Sequence, residues 1–260
     1  MRSLISASLF LILLISSPAF AQMGNELNID SVNAGYKNSA DVLNKLTHTD
    51  LSFLWMNTPN RAIVGFIGKN YSRFQIKFTS IKRNAPNATA YVVTGYTRKW
   101  DTVRYFTGFI ALEHAWYVET NPDFGDTVKE GILTGKYNFI EATNELPCTG
   151  RLLGSFMTSW YTDKSGNIHY DDLNSGDDGD CNNQFTGTWN KTLICNWGDY
   201  RIPNSGNLDE GVGEFAPDSA YVKYGWQNFK GTEYDVSSDN EKDAIKAQEK
   251  ADQWWPTKKP

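Results

Sequence analysis

Three histidines, His48, His114 and His169, are the only imidazoles in the 260-residue chain, and they stand far apart. No H-E-x-x-H, G-x-S-x-G, C-x-x-C or G-x-x-x-x-G-K-[ST] run occurs, which removes the commonest zinc-protease, esterase, redox and nucleotide readings. A triad assembled from distant residues stays open, because triad members meet in space rather than in sequence. Carboxylates, by contrast, cluster in two places. The stretch "YDDLNSGDDGD" holds Asp171, Asp172, Asp177, Asp178 and Asp180 among glycines. Calcium takes about six to eight oxygen ligands, so this is the candidate metal site, with a solvated acidic turn as the competing reading. Its spacing is not that of an EF-hand, and calcium is the one cofactor to consider.

The second cluster is "CNWGDYRIPNSGNLDEGVGEFAPD", about 20 residues without strand periodicity, a length at which ordered loops are usually functional. Trp197, Asp199, Tyr200 and Arg201, with Trp189 just upstream, supply rings for stacking and charged groups for pairing, and are the candidate ligand-binding residues. Asp209, Glu210 and Glu214 could provide the pair of carboxylates that glycoside hydrolysis uses. No residue is assigned a catalytic role, and the balance of features leans away from an enzyme.

These residues need a frame. "YSRFQIKFTSIKR" alternates Phe74, Ile76 and Phe78 against polar neighbours, the period of a half-buried strand. Similar runs follow with turn signals between them, through "TAYVVTGYTR", "TVRYFTGFIALEHAWYV", "EGILTGKYNFIEA", "TGRLLGSFMTSWYTD", a short "IHYDD" and "NQFTGTWNKTLIC", which reads as one strand. "AYVKYGW" is the last candidate. Such a series predicts an all-β fold, an antiparallel up-and-down β-barrel of about eight to ten strands. Gly65, Gly95, Gly108, Gly135, Gly154 and Gly187 fall near strand centres close to aromatics, as expected where a closing sheet coils sharply.

The ends differ in kind. Residues 1–21 read as a signal peptide, with Arg2, an apolar run and Ala19-Phe20-Ala21 before the cleavage point, so the mature protein is expected to be secreted or periplasmic. Ser16, Ser17 and Pro18 interrupt the run too early for a membrane helix, and no stable membrane insertion is expected. Residues 22–60 form an N-terminal extension with a short helix in "SADVLNKLTH". The barrel spans 61–236, with 196–219 as an ordered loop over one end. Residues 237–255 predict a helix whose stripe of Ala244, Ala247, Ala251 and Trp254 packs outside the barrel.

The chain carries a formal net charge of −5, which argues against a nucleic-acid partner. Its aromatic share of 14%, with nine Trp, marks a folded rather than a disordered chain. Of the three cysteines, Cys181 and Cys195 flank the strand read at 183–195 and would lie roughly 45 Å apart, too far for a disulfide. Cys148–Cys181 is the preferred pairing, Cys148–Cys195 the alternative, and three unpaired core thiols a third outcome.

"FTGTW" resembles the strands of avidins, and Gly187-x-Trp189 resembles the lipocalin G-x-W. Together they suggest a calycin-like barrel, although the lipocalin motif belongs on the first strand and this copy lies near the last. "CNWGDYRIPNSGNLDEGVGEF" resembles a stretch found in uncharacterised secreted bacterial proteins, and the resemblance brings no activity with it. The expected function is binding of a small apolar or aromatic ligand, with a glycan-binding surface module and a carboxylate-based glycoside hydrolase as alternatives. Oligomeric state is not legible.

Overall fold

Phe74, Ile76 and Phe78 are buried while Arg73, Gln75 and Lys77 between them are half-buried, as the alternation requires. Their strand is one of nine among the residues described by the structure, a computed structural model covering 28–84, 87–120, 128–142, 149–173, 181–203, 218–232 and 241–257. In chain order the strands are β1 (Ile63–Ile67), β2 (Ser72–Asn84), β3 (Asn87–Lys99), β4 (Thr102–Tyr117), β5 (Lys129–Ala142), β6 (Gly150–Thr162), β7 (Ile168–Tyr170), β8 (Asn182–Trp189) and β9 (Leu193–Asp199). Neighbours in sequence pair antiparallel from β1 to β6, β6 passes to β8, and β9 returns to β1. Eight strands therefore close into a calycin-like barrel, and β7 pairs alongside the far end of β6. No helix among the described residues is long and apolar enough to cross a membrane.

The strand-centre glycines sit where neighbouring strands crowd. Register places Gly95 opposite Phe106 and Gly135 opposite Phe156. A Cβ at either position would stand 2.6 Å from that ring. The covering aromatic thus comes from the adjacent strand, not from the glycine's own strand as sequence proximity suggests. Each ring recovers buried area over a bare backbone, the rescue a coiled sheet needs.

Three strand expectations change. The run 183–195 is a hairpin, turning at Asn190 and Lys191, whose φ angles of 51° and 64° suit a tight turn matched to strand twist. The separation argued for Cys181 and Cys195 along one straight strand therefore does not hold. They nevertheless sit apart. The Cys181 thiol approaches the Arg201 carbonyl at 3.6 Å, whereas Cys195 is a fully buried thiol facing the barrel interior. Cys148 lies outside the described residues. "AYVKYGW" is not a strand but a turn with a 3-10 segment at Val222–Tyr224; Trp226 buries its ring and donates to the Tyr71 carbonyl at 2.7 Å. Finally, β9 continues through Asp199, so the first residues of the expected loop are barrel wall.

The N-terminal segment enters the barrel. Helix α1 (Ile29–Tyr36), capped by the Asn28 side chain, lies outside it, with Ile29 and Val32 against Trp116, Ile132 and Met157. Helices α2 (Leu43–Leu46) and α3 (Phe53–Met56), with Leu51 between them, then carry Leu43, Leu46, Leu51, Leu54 and Trp55 into the main core, among interior residues such as Tyr91, Phe106 and Phe156. Residues 42–56 form a plug at one end. The C-terminal helix α4 (Glu241–Ala251) packs outside β2, but not through its alanine stripe: Ala247 and Ala251 are exposed. Glu249 accepts from the Asn60 N–H at 2.6 Å and faces Lys77 at 3.7 Å, while Asp252 pairs with Arg61.

Asp41 ties the plug to the wall. Its carboxylate accepts from the Leu43 N–H at 2.9 Å, from the Ala115 N–H at 3.2 Å and is 2.8 Å from His114 Nδ1. Burial alone would raise its pKa, but these partners outweigh it and hold the carboxyl below its usual range. The folded value lies under the unfolded one, so this stabilisation is complete above the ordinary carboxylate pKa of about 3.9 and is lost as pH falls through the depressed value. Thermal melts from neutral pH down to about pH 3 are expected to show an acid-labile increment that Asp41→Asn removes, on the order of 1 kcal/mol or less after solvent screening.

Candidate functional site

The barrel has two chemically distinct ends. At the plugged end, β8 bulges between Asn182 and Phe185, and Asn183 takes φ 45°. A bulge re-aims a side chain, and here it turns the Asn183 amide inward. Its Nδ2 donates to the Leu54 carbonyl at 2.8 Å and to Asp199 at 2.8 Å, and its Oδ1 accepts from the Thr158 hydroxyl at 2.9 Å. Trp55 Nε1 donates to Thr158 at 2.9 Å. Asp199, 2% exposed, also accepts from Thr58 at 2.9 Å and Tyr170 at 2.8 Å. A buried carboxylate that receives three hydrogen bonds is satisfied, and its role is to fix the plug.

The opposite end is open. Inward-facing positions of six strands surround a cavity of about 230 Å³ lined by Phe74, Thr97, Lys99, Arg104, Glu141 and Trp189, among others. Glu141 forms its floor and is 3% exposed. The Thr97 hydroxyl donates to one carboxylate oxygen, and the Trp189 indole N–H donates to the other at 2.9 Å. Behind it, burial above all, then the Glu141 charge, pushes the Cys195 thiol well above its ordinary pKa, with Lys99 opposing. A thiol so placed is inert. Lys99 and Arg104 line the rim. Two buried polar atoms near this cavity, Arg104 Nε and the Thr149 hydroxyl, have no hydrogen-bond partner among the described residues. Trp100, 48% exposed, closes the β3–β4 turn with φ 56°, a region bulky side chains rarely occupy. Strain of this kind is commonly kept at ligand clamps.

The ligand-binding residues expected from sequence are scattered by the fold. Trp189 lines the mouth. Trp197 is core, 2% exposed and stacked on Phe185 at 4.8 Å, so it offers no surface platform. Asp199 holds the plug, and Tyr200 borders a groove of about 560 Å³ at that end, with Phe53, Tyr161, His169, Tyr170 and Asp172. Arg201 is half-buried beside Cys181, away from the mouth. Of the acidic turn, Asp171 and Asp172 are described: Asp171 Oδ1 accepts from the Leu173 N–H at 3.2 Å and Asp172 is exposed. Asp177, Asp178 and Asp180 lie outside the described residues, as do Asp209, Glu210 and Glu214. Among the described residues no group of three or more His, Cys, Asp or Glu could hold a metal ion.

Sequence reasoning passed over Glu141, and a signal was there. Along "ILTGKYNFIEA" the inward positions run Leu133, Gly135, Tyr137, Phe139 and then Glu141, a charge in the apolar register. An acid on the core face of a strand breaks the binary pattern and asks for a partner. Arg104, two residues before Phe106, breaks it on the facing strand in the same way.

Comparison of the chain with protein-family models, with curated proteins and with solved structures found no match.

Proposed function

We propose that the protein binds a small molecule at the open mouth of the barrel, one with an apolar or aromatic body and an acceptor-bearing end such as a carboxylate. The observation that carries this reading is the set of inward polar side chains there: a floor carboxylate already held by two donors, and Arg104, whose buried Nε has no partner among the described residues. Phe74, Trp100 and Trp189 offer apolar walls, and mouths of β-barrels are common ligand sites. The volume suits a single ring system rather than a large lipid. The plug fills the far end, so the ligand sits at the mouth and not through the barrel. We place this activity outside the cytoplasm, where the N-terminal signal would deliver the chain.

A second reading rests on the groove at the plugged end, where Tyr161, His169, Tyr170 and Tyr200 bring rings beside Asp172. Rings next to acceptors suit glycan stacking. One titration separates the two. Calorimetry with benzoate, indole-3-acetate, octanoate and a chito-oligosaccharide is run on the mature protein, on Arg104→Gln and on Tyr200→Ala. Saturable binding of an organic acid that weakens at least about tenfold in Arg104→Gln, the scale of one charge-assisted hydrogen bond, supports the mouth. Oligosaccharide binding lost only in Tyr200→Ala moves the function to the groove. No binding by any probe, together with a native mass spectrum of bare protein, overturns both.

A further inference from the structure

The outer wall of the barrel carries a second polar cavity. Register sets Gln75 of β2 opposite Arg98 of β3 on the outward face, with Arg73 two residues along β2. Segment 218–232 and the residues after α4 fold across this face and enclose about 260 Å³ lined by Arg61, Arg73, Arg98, Lys230, Asp252 and Trp254, among others. Four cations thus face one carboxylate, on a chain whose net charge is −5. General basicity does not explain that imbalance.

The single carboxylate is already engaged. Asp252 accepts from Arg61 through Nε at 3.1 Å and through Nη2, and from Lys230 at 2.8 Å. Arg98 donates Nε to the Trp100 carbonyl at 3.0 Å and lies 4.0 Å from Asp101, which is fully exposed. Arg73 has no carboxylate within ion-pair distance among the described residues. Its guanidinium is held 5.1 Å from the Phe229 ring and 5.8 Å from that of Trp226. Burial, then the neighbouring charge of Arg98, pulls its pKa down to about 10, with Asp252 opposing. It therefore stays charged at neutral pH in a place that disfavours charge. The Trp254 indole N–H, which lines the same cavity, is buried and also has no partner among the described residues.

The Arg73 guanidinium, the Arg98 guanidinium with only its Nε engaged by a backbone carbonyl, and the Trp254 indole N–H line one partly enclosed space, and of these Arg73 has no carboxylate and Trp254 Nε1 no acceptor among the described residues. We propose that this cavity binds an oxyanion, a phosphate or sulfate either free or as a monoester, with Arg73 and Arg98 as its principal ligands and Trp254 as a third donor. Arginine is the residue suited to planar, bidentate recognition of such groups, and aromatic faces behind Arg73 keep the fork oriented. Lys230, at the rim, supplies attraction rather than geometry.

The test is equilibrium dialysis of the mature protein with labelled inorganic phosphate, then sulfate, in a chloride buffer. Glucose 6-phosphate serves as a competing monoester. The expected result is saturable binding at one site, with phosphate and sulfate competing and affinity falling at least about tenfold in Arg98→Gln and more in Arg73→Gln. Tighter competition by the monoester than by free phosphate identifies an esterified ligand; the reverse identifies the free ion. Should Arg73→Gln fold poorly, Arg98→Gln still decides, since that side chain is partly exposed. Absence of binding up to about 10 mM, or binding unchanged in Arg98→Gln, overturns the proposal.

Discussion

Trp55→Ala is expected to destabilise the protein by about 3–5 kcal/mol, the range for removing a large ring from a packed core. Trp55 is 2% exposed. It meets Tyr91 and Phe156 edge-on at 5.6 and 5.7 Å, and it anchors the plug through Thr158. Removing it opens a void at the centre of the sealed end and takes one partner from the Thr158–Asn183–Asp199 chain. Trp55→Phe keeps most of the ring and loses the indole hydrogen bond, at a cost of about 1–2 kcal/mol. Urea unfolding followed by circular dichroism measures both. An alanine variant within about 1 kcal/mol of the parent would show that residues 42–56 are not docked in the barrel.

Gly154→Ala carries the second large effect, about 3 kcal/mol or more, at the upper end of overpacking costs. Gly154 on β6 faces Gly187 on β8 in register. A Cβ there would press into the Thr186 carbonyl and stand 2.7 Å from the Gly187 Cα. Those atoms are backbone, so no rotamer change relieves the clash; the strands must part. Gly35→Ala is the matched control. It lies in α1 with nothing within 4 Å of the added methyl. Alanine there gains helix propensity, and the variant should be neutral or more stable by up to about 1 kcal/mol. The same urea unfolding reads both, and equal losses at the two sites would remove the packing explanation.

The barrel was legible because its strands obey a period of two and its glycines recur beside aromatics. What escaped was tertiary. The turn at Asn190-Lys191 lacks the Asn-Gly signature of a tight hairpin, so the alternation seemed continuous across it. "AYVKYGW" is rich in strand formers, yet Trp226 is drawn under Tyr71 and the segment turns. Trp197 looked like loop because glycine and charge follow it, while its own register, continuing from Cys195, already pointed inward. The plug was hidden for a different reason. "LSFLWMN" is short and apolar, and nothing local reveals that a strand bulge far along the chain will receive its carbonyl. The mouth was legible only in hindsight of direction, since a charged residue at an apolar position has meaning once the inward face is known.

The plug also bears on how the chain reaches this structure. Its residues come before every strand, yet its hydrogen bonds reach 103 positions ahead to Thr158 and 129 to Asn183, and Thr58 just after it reaches 141 ahead to Asp199. They wait on β6, on β8 and, for Asp199, on the last hairpin, whose β9 closes the barrel against β1. Loop closure over such spans costs entropy before any contact rewards it, and β topologies of this kind fold in milliseconds to seconds rather than microseconds. Emerging first, Leu51, Leu54 and Trp55 wait in solvent for a receptacle that is built last. Assembly of each molecule is therefore a race against association with its neighbours.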